Sequence, residues 1–584
     1  MCRTGTIAHT GYPHGRNLAA PAAIAMAVPI YSPVLLHKQK NKPNLIETEL
    51  IRKAMILDGA DLPEDAVIDT EICVVGAGAA GITLGKAFDS LPFRVTMVEA
   101  GGYHYSRAGQ RIYAGSTSGM PYLPPSTARL RYFGGSTNRW AGLCRPLDPI
   151  DFERRDWIPG SGWPFPETTL RPYYARAAEL IGLPTDRFDG DYWSGLTGRP
   201  LLPLSPQHFI NGATQIKPTR FGTAHRDALA ASRNVTCLLN SSVVDLRVGA
   251  TDGVVREVVA ATPAGRRFRV RARLVVLACG GLENARLLLN ADGVRPAGLG
   301  NGHGNVGRCF MEHRVSWPGI VRLSRPDPRL WFYTRQAAPN AADGVMVEGC
   351  VRPTPDLMRR ERILNTHFAL EPFSKGATRG SRSLGLLREG LGQWLRGGDM
   401  VVDVDYHLGN VLRDLDWLTE NKLRKVLGID KSATTWLIKA EVEQAPNPAS
   451  RVTLVHDVDA LGLRRINLHW QMSAIDEHSV RRGIALFGQE LERLGVGTAA
   501  VSMLTRPDGW SRFDHWGHHH CGTTRISERP QDGVVDPDCR VHELDNLYIA
   551  GNSVFPTEGT ATPTFTMIAL TLRLADHLTG ILSR

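Results

Sequence analysis

The hydrophobic pattern changes period sharply after residue 70. Glu71-Ile72-Cys73-Val74-Val75 is a short β-branched run, which predicts a buried parallel strand. It enters Gly76-Ala77-Gly78-Ala79-Ala80-Gly81, and ITLGKAF then reads as a helix. Arg94 to Val98 predicts a second strand, ending at Glu99. Val243 to Val248, Val254 to Ala261 and Arg267 to Ala272 alternate or run β-branched, with turns at Gly253 and Gly265, and predict a β-meander. Leu274 to Ala278 predicts a further buried strand. It closes in Cys279-Gly280-Gly281, ahead of a helix with Leu282, Ala285 and Leu289 on one face. Glu167 to Leu183 has helical spacing, Ser383 to Lys425 is helix-rich, and Ile475 to Leu494 reads as a long amphipathic helix. Ala440 to Arg451, Val452 to His456 and Arg465 to Trp470 read as antiparallel strands. Near the end, Thr562-Pro563 has the form of an N-cap followed by proline at N1. Phe565, Ile568, Leu572, Ala575 and Leu578 then form one apolar stripe.

The two strand–glycine–helix units lie far apart, so the nucleotide lobe must be assembled from separated segments. The expected organisation is an arm over residues 1–67, a nucleotide lobe from 68–165, 235–314 and 515–584, and a substrate lobe from 166–234 and 315–514 with a helical cap at about 383–430. The Pro/Gly/Trp stretch Asp156 to Pro166 is a natural boundary. The fold class is α/β, α+β overall. A composition of 42% hydrophobic and 22% charged residues over 584 positions excludes a disordered chain. The net charge of +10 comes from dispersed basic residues without a long Lys/Arg run, which argues against nucleic-acid binding. Nine scattered cysteines suit reduced thiols and a cytoplasmic protein. Ile24 to Leu36 is apolar, but it holds two prolines and is too short to span a bilayer, so no membrane partner is expected. Translation starting later, at Met26 or Met55, is an alternative reading of this segment.

The glycine run has the form of a dinucleotide fingerprint. Gly76 allows the tight turn, Gly78 lets a pyrophosphate approach the backbone at Ala79 and Ala80, and Gly81 lets helix and strand pack closely. Glu99 is placed to accept from an adenosine ribose, which alone does not separate FAD from NAD. Phe133 to Gly142 (FGGSTNRWAG) is a second glycine loop. His515, His518, His519 and His520 fall within six residues, at a spacing that matches no common metal-ligand motif, so no metal is expected. Asp399, Asp403, Asp405, Asp414 and Asp416 mark the helix-rich block, either as a solvated cap or as carboxylates facing a cationic substrate.

Taken in order, VVGAGAAG with Glu99, FGGSTNRWAG, SGWPFP, VVLACGGLENARLLL, GNVGRCFMEH, EQAPNPASRVTL, HHHCGTTR and VVDPDCRVHELDNLYIAGNSVFPTEGTATPT resemble the glucose–methanol–choline (GMC) oxidoreductase family over nearly all of residues 68–584. The branch it resembles most is that of bacterial sugar and polyol dehydrogenases and pyranose oxidase. The resemblance implies a Rossmann-type FAD lobe, a substrate lobe built on an antiparallel sheet covered by helices, and oxidation of an alcohol by hydride transfer to flavin N5. Gly76, Gly78, Gly81 and Glu99 resemble the FAD diphosphate and ribose contacts. Gly134, Gly135, Ser136 and Asn138 resemble the loop passing the flavin, and Val243 the residue whose backbone meets adenine. Gly551, Asn552, Pro563 and Thr564 fall in the segment expected beside the flavin. The family's H-x-x-G-T motif places the catalytic base at His519, with His520 as a neighbouring backup. Relatives with covalent flavin carry histidine where this chain has Arg139, which implies non-covalent FAD. Many members carry Asn or His at the position of Thr562, so Thr562 is expected at most to orient the hydroxyl. The substrate class implied is sugar-like, with an aminosugar as the narrower expectation from the acidic cap, and the electron acceptor is oxygen or another carrier. The alternatives are a GMC-type lyase of the hydroxynitrile lyase kind and the flavoprotein subunit of a membrane electron-transfer dehydrogenase.

Overall fold

The first sheet is built around the strand that carries the fingerprint. In the computed structural model, residues 55–584 are described except 250, 340–343, 374–377, 397–402, 427–433 and 501–514. Ile24 to Leu36 and Asp399 lie outside the described residues. The eight strands of this sheet run in the order Ile56–Asp58, Val235–Leu239, Val95–Val98, Val67–Val75, Arg267–Leu277, Val255–Ala261 and Ser242–Val248, with Leu547–Ile549 also on Arg267–Leu277. From Ile56–Asp58 to Arg267–Leu277, and on to Leu547–Ile549, every pairing is parallel. The last two strands of the row form the antiparallel meander. Ile72, Cys73 and Val74 are fully buried, which is why that run is apolar without alternation.

Several expectations change here. Ile56–Asp58, assigned above to the N-terminal arm, is already an edge strand, and Val235–Leu239 supplies a parallel strand that the reading omitted. Arg267 to Ala272 and Leu274 to Ala278 are one eleven-residue strand. Its first half pairs with the meander and its second half with Leu547–Ile549. Helix Arg171–Ile181, expected in the substrate lobe, packs against Pro563–Leu582 in the nucleotide core. Pro563–Leu582 also packs on the fingerprint helix Ala79–Phe88. It is long and apolar enough to cross a membrane, but the stretch Phe565–Leu572 is wholly buried within the protein.

The second sheet has nine antiparallel strands. Its main row is Gly497–Ala500, Arg314–Leu323, Thr435–Val442, Thr366–Pro372, Met346–Pro353, Phe209–Ile216 and Leu143–Cys144, and the short strand His515–Trp516 pairs with the start of Arg314–Leu323. Helix Ala474–Arg493 covers one face, where Phe487 stacks on Phe368 with ring centres 4.7 Å apart. The strand expected over Ala440 to Arg451 ends at Val442. Pro446 and Pro448 cannot donate to a ladder, so the chain leaves the sheet. Arg451–Val458 and Arg464–Trp470 form a separate three-stranded sheet with Ser116–Gly119. The cap is three helices, Arg379–Leu395, Val404–Arg413 and Leu415–Val426. Two of its acids are structural: Asp403 accepts from Tyr406 N (3.1 Å) at a helix start, and Asp414 accepts from Gly380 N (2.7 Å).

Candidate functional site

A cavity of about 1140 Å³ runs from the fingerprint, past the second glycine loop, to the antiparallel sheet and the cap. At its nucleotide end, Gly76 has φ +101° and a Cβ there would meet Ala278 O at 2.8 Å. A Cβ on Gly81 would fall 1.9 Å from Gly76 O, so Gly81 serves helix–strand packing and does not line the cavity. Gly78 has nothing within 4 Å of its Cβ position, and it lines the cavity with Ala79 and Ala80. First-turn N–H groups have no intrahelical acceptor, so this helix start is open to an anion. Glu99 accepts from Ala77 N (2.7 Å) and Gly101 N (2.8 Å) and still lines the cavity. Burial raises its pKa against those two hydrogen bonds. Each carboxylate oxygen keeps a further lone pair for a ribose hydroxyl. Val243 lines the same end, beside a register shift in its strand.

The second glycine loop is pinned across the fingerprint. Gly134 N donates to Ala77 O (2.8 Å), and a Cβ on Gly135 (φ +53°) would lie 3.0 Å from Gly78 Cα. Gly135, Ser136 and Arg139 line the cavity. Gly134 and Asn138, grouped with them in the sequence reading, do not. Asn138 Nδ2 donates to Phe133 O (2.8 Å) and braces the loop from behind. Arg139 Nη2 lies 3.7 Å from Glu389 of the cap. Gly551, Asn552, Thr562, Pro563 and Thr564 complete this wall. Thr562 occupies the N-cap position, but its hydroxyl makes no capping bond. It donates instead to Leu143 O at 2.6 Å, because strand Leu143–Cys144 abuts the helix start.

The chemistry-bearing corner lies where Arg314–Leu323, Thr435–Val442 and the histidine cluster meet. His313 Nε2 is 2.7 Å from Gly559 O, and His313 Nδ1 is 2.8 Å from His519 Nδ1. A carbonyl only accepts, so Nε2 of a neutral His313 carries the proton and its Nδ1 is an acceptor. His519 Nδ1 therefore donates, and His519 Nε2 is left unprotonated. Burial lowers the pKa of both rings, His519 well below the ordinary value, with His313, His518 and His520 adding to the effect on His519. Both are neutral near pH 7. His519 N donates to Glu312 Oε1 (2.9 Å), and Tyr122 OH donates to the other oxygen of Glu312. Burial pushes Glu312 up to about 8.

The remaining histidines separate by environment. His520 is buried between the rings of Tyr122 (6.1 Å) and Phe310 (5.9 Å), and its Nε2 has no hydrogen-bond partner among the described residues. His515 stacks on Trp317 at 5.2 Å. His518 lies exposed along the cavity wall, its Nδ1 3.4 Å from Ala128 O. Glu441 Oε1 is 4.0 Å from His519 Nδ1. His313, Glu441 and His519 are the grouping among the described residues whose donor atoms lie close enough together for a metal, within 4.8 Å. The hydrogen bond between the two Nδ1 atoms already occupies the lone pair a metal would need. Sequence reasoning missed Glu312, His313, Glu441 and Tyr122, although the motif ending in Glu312-His313 was in view.

Comparison with known proteins decides the family. Residues 446–571 match the model of the GMC oxidoreductase family, and residues 71–338 match that of FAD dependent oxidoreductases. Residues 446–571 are therefore a GMC oxidoreductase domain. The chain is 23% identical to 2-methyl-1,2-propanediol dehydrogenase of Mycolicibacterium austroafricanum, over 87% of this chain and 95% of that one. It is 24% identical to paromamine 6'-oxidase of Streptomyces fradiae, over 90% and 93%. A formate oxidase structure superposes with a TM-score of 0.51 at 16% identity, covering 89% of this chain and all of the other, which supports the fold. As a GMC enzyme the protein is an FAD-dependent oxidoreductase acting on alcohol groups. The cavity fits that cofactor. Gly78 leaves open the space a pyrophosphate fills, Glu99 keeps acceptor capacity for a ribose, and Arg129 Nη2 is a buried donor without a partner among the described residues, in a side chain that lines the cavity.

Proposed function

We propose that the protein oxidises an alcohol group of a sugar-like substrate, with His519 as the general base. The observation that carries this reading is the hydrogen-bonded chain from Gly559 O through His313 to His519. It leaves His519 Nε2 neutral and able to accept a proton from the substrate hydroxyl. FAD, bound along the fingerprint and the second glycine loop, supplies the hydride acceptor. The chain's own residues handle the proton. His519 Nε2 takes it, His313 holds the ring in the productive tautomer, and Glu312 anchors the His519 backbone. Thr562 is tied to Leu143 O and supports the helix start; its hydroxyl is not a second base. His520 faces aromatic neighbours and is not a substitute base.

The sugar-like class is supported by the name of the paromamine 6'-oxidase and by the polar sheet face in the cavity. The acidic cap supports an aminosugar less than its composition suggested. Asp403 and Asp414 are spent on helix ends, and Asp405 is the exposed cap acid on the cavity lining. In this reading the flavin is non-covalent, because Arg139 stands at the tethering position, and the enzyme is cytoplasmic. The test is anaerobic titration of the holoenzyme with neutral sugars, aminosugars and simple diols. Bleaching of the flavin absorbance by members of the panel is expected. A flavin spectrum unmoved by every alcohol would overturn the reading in favour of a lyase.

A further inference from the structure

Buried carboxylates lie about the two hydrogen-bonded histidines, and they differ in what they can do. Glu312 accepts from the His519 backbone N–H, and burial pushes it up to about 8, so it is mostly protonated near pH 7. Glu558 Oε1 is 3.9 Å from His313 Nε2, and burial raises its pKa well above the ordinary value, which favours its neutral form. Glu443 is held by Arg155, whose Nη1 donates to Oε2 at 2.7 Å. Glu441 comes from strand Thr435–Val442, where Trp436, Ile438 and Ala440 enter the hydrophobic core and Lys439 and Glu441 alternate onto the cavity side. Its Oε1 is 4.0 Å from His519 Nδ1. One ring nitrogen each of His313 and His519 and one carboxylate oxygen of Glu441 lie within 4.8 Å of one another. Glu441 therefore faces the junction where the two Nδ1 atoms meet, across the ring from the base atom Nε2.

The charges on this side of the sheet do not cancel. Lys439 and Arg335 make their close bonds with Glu348, at 3.0 and 2.8 Å, and each also feels Glu371 and Glu441. Two cations thus act with three carboxylates. Around the histidines, burial lowers both rings. His518 and His520 add to the effect on His519, and Arg145 adds to that on His313; Glu441 is the charge that most opposes it at His313, ahead of Glu443. When the substrate hydroxyl gives its proton to His519 Nε2, the ring keeps its Nδ1 proton and gains one positive charge. Passing the Nδ1 proton across to His313 moves that charge to the second ring but leaves it in the pair. A lone charge buried there is costly, and an opposite charge within about 4–6 Å offsets the cost.

We infer that Glu441 is a positioning residue for the base, acting through the His313–His519 pair: its carboxylate is the counter-charge for the positive charge the pair gains as the alcohol proton arrives. The inference rests on the alcohol-oxidation reading above, with His519 as the base.

The experiment measures anaerobic flavin reduction of the holoenzyme against pH, using whichever of D-glucose, D-glucosamine and 1,2-propanediol reduces the wild type fastest. Glu441→Gln keeps the shape and removes the charge. An opposite charge at this distance shifts a pKa by about 1–3 units, of which roughly half reaches the rate of proton transfer. The limiting rate should therefore fall about three- to thirtyfold with the half-saturating concentration unchanged. The lost charge favoured the protonated ring, so the acid limb should move to lower pH. Glu441→Asp keeps the charge and should recover most of the rate. On the His519→Ala background, Glu441→Gln should cost nothing further. Flavin content and thermal melts report folding. A Glu441→Gln enzyme within about twofold of wild type would overturn the inference. So would a loss carried by the half-saturating concentration, an Asp variant no faster than the Gln variant, or an equal loss on the His519→Ala background, the mark of a merely structural role. A wild type that none of the three alcohols reduces, or a His519→Ala enzyme within about tenfold of wild type, would instead overturn the reading beneath it.

Discussion

Replacing His519 by alanine removes the base while leaving most of its surroundings in place. A positioned base is worth about 10²–10⁴ in rate, or roughly 3–5 kcal/mol of barrier. The fold should survive. The His519 backbone N–H keeps its bond to Glu312, and His313 keeps Gly559. The one buried group left unpaired is His313 Nδ1, at a cost of about 1–3 kcal/mol against a stability of roughly 5–15. A second variant isolates the tautomer argument. His313→Phe keeps a planar ring, somewhat larger than imidazole, and removes the acceptor that fixes the His519 proton together with the donor to Gly559 O. Loss of one neutral hydrogen bond worth about 0.5–1.5 kcal/mol slows flavin reduction roughly two- to twelvefold. Because His313 acts through His519, the same change made on the His519→Ala background should cost nothing further, a strongly non-additive pair. The assay is stopped-flow anaerobic reduction of the four proteins at saturating alcohol and matched flavin content. A His519→Ala enzyme within tenfold of wild type would refute the base assignment. A His313→Phe effect of equal size in both backgrounds would refute the tautomer argument.

Three other outcomes follow from the geometry. Acid precipitation should release all of the flavin into the supernatant, since Arg139 cannot form the histidyl tether; flavin retained in the pellet would contradict the assignment of that position. Gly78→Ala should leave the melting temperature of the FAD-free protein unchanged and weaken FAD retention, whereas Gly81→Ala, with its Cβ 1.9 Å from Gly76 O, should destabilise the FAD-free protein by about 1–3 kcal/mol. Thermal melts with and without FAD separate the two cases. The base works when neutral and its pKa is lowered by burial, so the acid limb of kcat/KM should fall below pH 6.5; a limb at or above that value would contradict the burial argument.

What the sequence made legible was local. The run from Ile72 to Gly81 announces strand, turn and helix because its apolar pattern and glycines lie within a dozen residues. Thr562-Pro563 announces a helix start for the same reason, although nothing local shows that the Thr562 hydroxyl will find Leu143 O, 419 positions away. His519 was legible through its spacing to Gly522 and Thr523. Its partners were not, because His313, Glu441 and His519 are brought together only by antiparallel pairing of three strands from distant parts of the chain. Strand Phe209–Ile216 escaped because FINGATQI carries glycine, asparagine and alanine, residues depleted in sheets, at positions where neighbouring strands and not intrinsic preference hold the backbone. Glu441 looked like one more acid on a mixed strand. Only the geometry shows that the close ion pairs of Arg335 and Lys439 are with Glu348.

The strand Leu547–Ile549 has a consequence for how the enzyme is made. It lies against Val275–Leu277, in the sheet that holds the fingerprint, and helix Pro563–Leu582 packs on the fingerprint helix. The first βαβ unit, ending at Val98, is made some 450 residues before that strand, which starts at Leu547. At about 5–20 residues per second, this is roughly half a minute to a minute and a half of synthesis. Throughout that interval the apolar surface of Ala79–Phe88 lacks its cover, and Arg267–Leu277, once made, has only one of its two neighbours along its second half. The nascent enzyme is thus a ready client for a chaperone, and the cofactor site closes only once Pro563–Leu582 has been made. Expression yield should therefore respond to slower synthesis and chaperone supply more strongly than the stability of the finished fold would suggest.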